Sequence, residues 1–372
     1  DSNALPVDAT VTSIEDKFIA TISSNLSSQT VMPMRPGYGS QGRKTEVFAN
    51  YLTIQPPSDL TLTRYNVEVI SKPSDDPDAK TDTKPPSGKK LKRIFQLLLM
   101  MPEFAGVASE WKSMIISKRP LNIPDGHEVE IKYVEDGHDE PLERAKTYLL
   151  RIVTPLSFSI SDYVNYLSST SASSQFPHGL EIIQVLNAVF GHYPQSHDGV
   201  VSVGQNRHFA IQPNTTGFHS WDLDGGLVSL RGYFQSVRPA TGGLLLNVNT
   251  VHGVFYEPVR LDQLYAKLGA ANKKNLSDKL KGTRISQTHL PNKKHKVTGK
   301  EIPNVKSIWG FATQGDGKGS KDEHPPQVKS YGAGPKDVKF WLSDRSSNEA
   351  AAAAQKGLPV NSYISIYDYF HI

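Results

Sequence analysis

The chain has 372 residues, of which 37% are hydrophobic and 21% charged, with a net charge of +4. That balance suits a soluble globular protein of two or three domains, and its 25 prolines and 28 glycines promise many loops. There is no cysteine, which excludes disulfides, thiolate zinc sites and cysteine nucleophiles and favours a reducing compartment.

Residues 1–30 are rich in Ser and Thr with weak periodicity and read as a flexible, poorly packed lead-in. Structure is expected from the arm MPMRPGYGSQGRKTEVFANYLTI (32–54), in which Val47, Ala49 and Tyr51 begin an alternating strand. PPSD supplies a turn into a second strand, LTRYNVEVI, where Tyr65, Val67 and Val69 share one face. The charged, Pro-rich stretch 72–90 cannot bury enough surface to offset ordering and reads as a flexible loop. LKRIFQLLLMMPEF then returns to buried structure; its apolar run is far too short to span a bilayer.

HEVEIKYVED (127–136) and TYLLRIV (147–153) alternate cleanly and read as sheet strands. From 157 the period lengthens. SFSISDYVNYLSS offers Ser159 or Ser161 as N-cap of a short helix. GLEIIQVLNAVFGHYP (179–194) sets Leu180, Ile183, Leu186 and Phe190 near helical spacing, with Gly191 and Pro194 as stop signals. NRHFAI and the Gly-Gly turn of WDLDGGLVSLRGYFQSV mark a return to strands. Short strands are expected in TRISQTHL, VKSIWGF, DVKFWL and YISIYDYF, and a short helix in 349–357.

The charge is uneven along the chain. Residues 261–372 carry 18 Lys+Arg against 10 Asp+Glu, whereas residues 1–260 sum to −4. A localised basic excess is the footprint of a polyanion binder, and equally of a lysine-rich solvated face. Nothing apolar follows a basic start, so no secretory leader is expected.

Catalytic constellations are absent from the sequence: it has no GxSxG, HExxH, P-loop or strand-following GxGxxG. QGDGKGSKDE (314–323) fits neither a Walker loop nor an EF-hand, and WDLDGG suits a hairpin turn with Asp222 or Asp224 capping amides. His127, Glu128, His138, Asp139 and Glu140 scatter over an apparent hairpin rather than converging on a metal. The expectation is a protein with no catalytic residue, no metal and no cofactor.

Three segments carry a family resemblance. RPGYGSQGRKTEVFANYL is similar to the entry signature of eukaryotic, most nearly fungal, Argonaute proteins, and LTRYNVEV to their next strand. LVSLRGYFQSVRPATGGLLLNVNTVHGVFY resembles the first linker domain of that family, whose hallmark is Gln-Ser-Val-Arg-Pro followed by an apolar-Asn strand. The resemblance implies an α+β, multidomain chain. Its parts are a mixed α/β N domain (31–157), a strand-helix linker domain (158–260) and an incomplete, OB-like β-barrel PAZ domain (261–372). The MID and PIWI domains would follow Ile372, so the slicer carboxylates would lie outside this chain.

The implied activity is guide small-RNA binding in gene silencing, with the PAZ segment holding the RNA 3′ end and the N domain acting as a duplex wedge. Implied partners are single-stranded small RNA, the guide–target duplex and silencing-complex proteins, with no membrane; the implied setting is the cytoplasm, the nucleus being equally allowed. A pocket of that kind needs aromatic faces for terminal bases and donors for the last phosphates. The resemblance carries the pocket histidine onto His289, the appendage aromatic onto Phe340 and the strand-end tyrosine onto Tyr369. The family's phosphate-binding arginine and tyrosine fall on Asn304 and Lys306. Lys293, Lys294 and Lys296, with Lys300, offer replacement charge as mobile point charges. In the linker strand, Arg238 and Pro239 are expected to bend the chain, Leu244, Leu246, Val248 and Val254 to bury one side, and Arg238 to face the RNA backbone. The competing expectation is a protein-interaction module that binds no RNA itself.

Overall fold

The structure is a computed structural model. It describes residues 9–24, 50–71, 85–134, 141, 145–169, 175–269, 273–288, 292–294, 301–302, 305–316, 323–343 and 357–371. These form two compact units, one of residues 1–223 with 227–255 and the other of 224–226 with 256–372.

The first unit opens with helix α1 (Ala9–Ser24), inside the segment expected to lack regular structure. Val11 and Ile14, three residues apart, are half-buried there, a spacing that the surrounding Ser and Thr obscure. Strand β1 (Tyr51–Ile54) does not form a hairpin with β2 (Thr61–Ser71). Instead it pairs with a strand far along the chain, Tyr51 opposite Asn247, so PPSD connects two sheets. The arm ahead of Asn50 lies outside the described residues, as do 72–84 of the expected loop; residues 88–90 already open helix α2 (Gly88–Leu99).

β2 is the centre of a five-stranded antiparallel sheet. Its companions are β3 (Ala108–Ser109), β4 (Met114–Ser117), β5 (His127–Lys132) and β6 (Thr147–Ser159), in the order β3-β4-β2-β6-β5. Each face has its own core. Tyr65 and Val67 of β2, Ile115 of β4 and Tyr148, Leu150 and Ile152 of β6 pack with Ile94, Phe95 and Leu98 of α2. On the other face Leu62, Ile116 and Phe158 pack with helices α3 (Ile160–Leu167) and α4 (Gly179–Ser196).

β6 runs on past Pro155, where the sequence suggested it would stop. Val153 pairs with Asn66 and Leu156 with Arg64, so two β6 residues oppose one residue of β2. This bulge shifts the pleat by one, which is why Ile152 and Phe158 serve opposite cores although both are even-numbered. Pro155, lacking an N–H, sits where no ladder bond is needed.

Ser159 is the cap of α3, its Oγ accepting from Asp162 N at 3.2 Å. Ser161 Oγ instead donates to the Ser58 carbonyl. We expect Ser159→Ala to lower stability by about 1 kcal/mol in urea unfolding.

The second sheet of this unit has the order β1-β11-β10-β8-β7, with β9 also on β10. Its strands are β7 (Val200–Val203), β8 (Arg207–Ala210), β9 (Ser220–Asp222), β10 (Leu227–Ala240) and β11 (Gly243–Tyr256). β10 continues unbroken through Arg238 and Pro239 and turns only at 241–242, so the Arg-Pro pair does not bend the chain. Leu244 is buried and Leu246 packs beside it, but Val254 is 62% exposed.

The second unit contains helices α5 (Leu261–Leu268) and α6 (Lys273–Leu280), whose Leu264, Leu276 and Leu280 form a small core with Ile308 and Phe311. Three small sheets follow: β12 (Arg284–Ser286) with β15 (Val305–Ser307), β13 (Lys293–Lys294) with β14 (Glu301–Ile302), and β16 (Gln327–Val328), β17 (Val338–Leu342) and β18 (Ser362–Ser365) together. Among the described residues no sheet closes into a barrel. YISIYDYF is only half strand: helix α7 (Ile366–Phe370) begins where Ser365 Oγ accepts from Asp368 N at 3.0 Å and contacts its carboxylate at 2.6 Å. That Ser-x-x-Asp cap overrides the alternation.

Candidate nucleic-acid interface

The expected site residues fall in different places. Phe340 on β17 and Tyr369 on α7 meet edge to face, ring centroids 5.4 Å apart, against the buried Leu342, Leu358 and Ile364. Elsewhere in this unit Lys336 Nζ, from the turn before β17, lies 4.4 Å from the centre of the Tyr367 ring of α7, a cation–π contact. Tyr367 and Tyr369, two residues apart on a helix, do not share a face. His324 stacks on Trp341 at 3.6 Å. The alternation of YISIYDYF hid that α7 carries both Tyr367 and Tyr369.

Lys306 is exposed on a different sheet, with Ile285 as its cross-strand partner. The backbones of Lys293 and Lys294 pair with Ile302 and Glu301. His289, Lys296, Lys300 and Asn304 lie outside the described residues. Arg238 belongs to the first unit, exposed near the end of β10.

What the linker hallmark does is visible around Arg238. α4 passes through Gly191 and Pro194, the expected stops, and ends at Ser196. Proline has no N–H, so the Phe190 carbonyl one turn earlier loses its helical donor. Gln235 Nε2 replaces it, donating to Phe190 O at 2.9 Å. Two residues on, Val237 N donates to Asn187 Oδ1 of α4 at 2.8 Å, and the Val237 side chain is fully buried. Gln-Ser-Val therefore docks β10 on α4, while Arg238 and Pro239 face outward.

Gln235 also reaches His208 Nε2 at 3.4 Å, and His208 Nδ1 lies 2.8 Å from Ser202 Oγ. Gln235 donates, so Nε2 accepts and Nδ1–H donates to Ser202. His208 is fully buried, and burial pulls its pKa down to about 4. Gly232 lets β8 come this close. A Cβ there would sit 2.3 Å from the His208 carbonyl oxygen and 2.5 Å from the Phe209 ring.

Among the described residues, no three His, Asp or Glu side chains gather as metal ligands. No described helix is long and apolar enough to cross a membrane. Of the acidic and histidine residues noted in the sequence, His138, Asp139 and Glu140 lie outside the described residues.

A docked linker strand beside a two-faced N-domain sheet agrees with the comparisons. The family model for the N-terminal domain of argonaute matches residues 43–190, and that for the Argonaute linker 1 domain matches residues 204–257. Together they span more than half of the chain, and the chain belongs to the Argonaute family, matching its amino-terminal region.

It is similar to protein argonaute 5 of Arabidopsis thaliana, 27% identical over 70% of this chain and 25% of that protein. It is also similar to protein argonaute of Schizosaccharomyces pombe, 25% identical over 76% of this chain and 31% of that protein. A crystal structure of Kluyveromyces polysporus Argonaute with a guide RNA matches at 16% identity and a TM-score of 0.35, covering 65% of this chain and 27% of that one. The chain thus spans a quarter to a third of the length of these relatives.

Proposed function

We propose that this chain is the RNA-holding part of an Argonaute acting in small-RNA-guided silencing, in the cytoplasm or the nucleus. In this reading residues 261–372 are a PAZ-type segment, OB-like in its complete form, that grips the 3′ end of a single strand. The N domain separates duplex strands, and cleavage belongs to other domains. The observation that carries the reading is the Phe340–Tyr369 ring pair, two half-buried aromatics that meet in the basic third of the chain. Aromatic rings in a lysine-rich segment are the chemistry that terminal bases and phosphates require. Lys293, Lys294 and Lys306 would add charge along the strand.

Fluorescence anisotropy with a short single-stranded RNA tests this. Blocking the 3′ hydroxyl should weaken binding, and Phe340→Ala should cost at least tenfold, roughly 1–3 kcal/mol per stacked base. Tyr369→Phe, which keeps the ring packing, should weaken binding without loss of fold. The logarithm of affinity should fall with that of salt by about 0.7 per phosphate held. Affinity indifferent to the blocked 3′ end and to both substitutions would overturn the reading and leave a protein-docking module.

A further inference from the structure

α4 covers only part of the β10–β11 face. Where the helix stops at Ser196, the uncovered strands and the chain from 210 to 219 enclose a cleft of about 700 Å³, inside the roughly 300–1,000 Å³ of small-ligand pockets. Its walls are distinctive in charge. Arg231 and His219 line it, and none of its described lining residues is acidic. Arg231 is exposed and makes no ion pair among the described residues.

Aromatic surface lies next to that charge. Tyr193, 69% exposed at the end of α4, and Tyr233, on β10, both line the cleft. Burial first, and then the nearby Tyr193 phenol, raise the Tyr233 pKa, so its hydroxyl stays a neutral donor. Arg231 and Tyr233 are two residues apart on one strand, hence on one face and about 7 Å apart. That separation is comparable to the reach from a nucleobase to its own phosphate. Asn214 contributes an amide able to meet a base edge. The Trp221 ring, 5.5 Å from His252 on the same sheet, extends the aromatic surface beyond the cleft.

We propose that this cleft binds one nucleoside monophosphate unit, the base against Tyr193 and Tyr233 and the phosphate on Arg231. The unit is either a free nucleotide or one unstacked residue of an RNA strand. The site lies wholly in the first unit and does not depend on the 3′-end reading: it needs neither Phe340 nor Tyr369.

Isothermal titration calorimetry of the whole chain with adenosine and uridine monophosphates is the test. One-to-one binding is expected, with adenosine alone and inorganic phosphate alone each at least tenfold weaker. Arg231→Gln and Tyr193→Leu, both at exposed positions, should each weaken binding about tenfold, whereas Phe340→Ala should leave it unchanged. Displacement of the monophosphate by a 3′-blocked RNA pentamer assigns the ligand as a strand residue; failure to displace assigns it as a free nucleotide. No saturable binding, or binding that Arg231→Gln does not alter, overturns the proposal. Loss of 3′-end discrimination with this binding intact would count against the PAZ reading alone.

Discussion

Replacing Gln235 with Leu should destabilise the first unit by about 2 kcal/mol, because a near-isosteric apolar side chain leaves two acceptors without their donor. One is the Phe190 carbonyl and the other His208 Nε2. The cost has a specific origin: Phe190 O depends on a side chain because residue 194 is proline. Pro194→Ala returns a backbone N–H to that carbonyl. Gln235→Leu should therefore cost about 1 kcal/mol less in a Pro194→Ala background than in the native chain. Urea unfolding of the four chains of this double-mutant cycle, followed by circular dichroism, measures the coupling. Equal costs in both backgrounds would show that the Gln235–Phe190 bond does not compensate for the proline.

The same pair of residues shows which parts of the fold the sequence could and could not reveal. Alternation in HEVEIK and TYLLRIV was legible because it is local, and β5 and β6 pair over those residues. Tyr65 and Val67 do share a buried face for the same reason. The stops expected at Gly191 and Pro194 failed because the donor that lets α4 continue comes from β10, well beyond the helix. Of the expected helical stripe, Leu186 is buried and Ile183 and Phe190 pack against the same core. Leu180, however, is 81% exposed, and the buried side also takes in Ile182, Val185, Ala188, Gly191 and Pro194, since β10 and the N-domain sheet press there.

β1 failed as a hairpin strand because its partner, β11, is supplied by the far end of the unit, a pairing no local window encodes. Of the candidate site, Phe340 and Tyr369 were readable as aromatics in the basic third. The signal for α7, Ser365 three residues before Asp368, was present but masked by alternation. The cleft was not readable at all: Tyr193 closes a helix, Arg231 and Tyr233 sit mid-strand, and only the place where α4 ends brings them together.

His208 gives the second large effect, and its sign follows from burial. The unfolded chain titrates this imidazole near its ordinary 6.5, whereas the folded chain holds it neutral down to about 4. Between those values the unfolded state binds the extra proton, so stability falls as pH drops from 6.5 to 4 and His208 contributes no further loss below that. A shift of that size corresponds to about 3 kcal/mol. His192, whose pKa burial also lowers, acts in the same direction, as do the lowered carboxylates Glu181 and Asp316. The His208 share is therefore read as a difference between chains. His208→Gln keeps one donor and one acceptor facing Ser202 and Gln235 but does not titrate. Urea midpoints of both chains at steps from pH 7.5 to 4 should diverge steadily, the native chain losing about 3 kcal/mol more than the variant. Parallel curves would mean that the folded protein takes up a proton on this imidazole as readily as the unfolded chain does. The Ser202–His208–Gln235 arrangement would then be open to solvent rather than the dry joint that fixes the linker strand on α4.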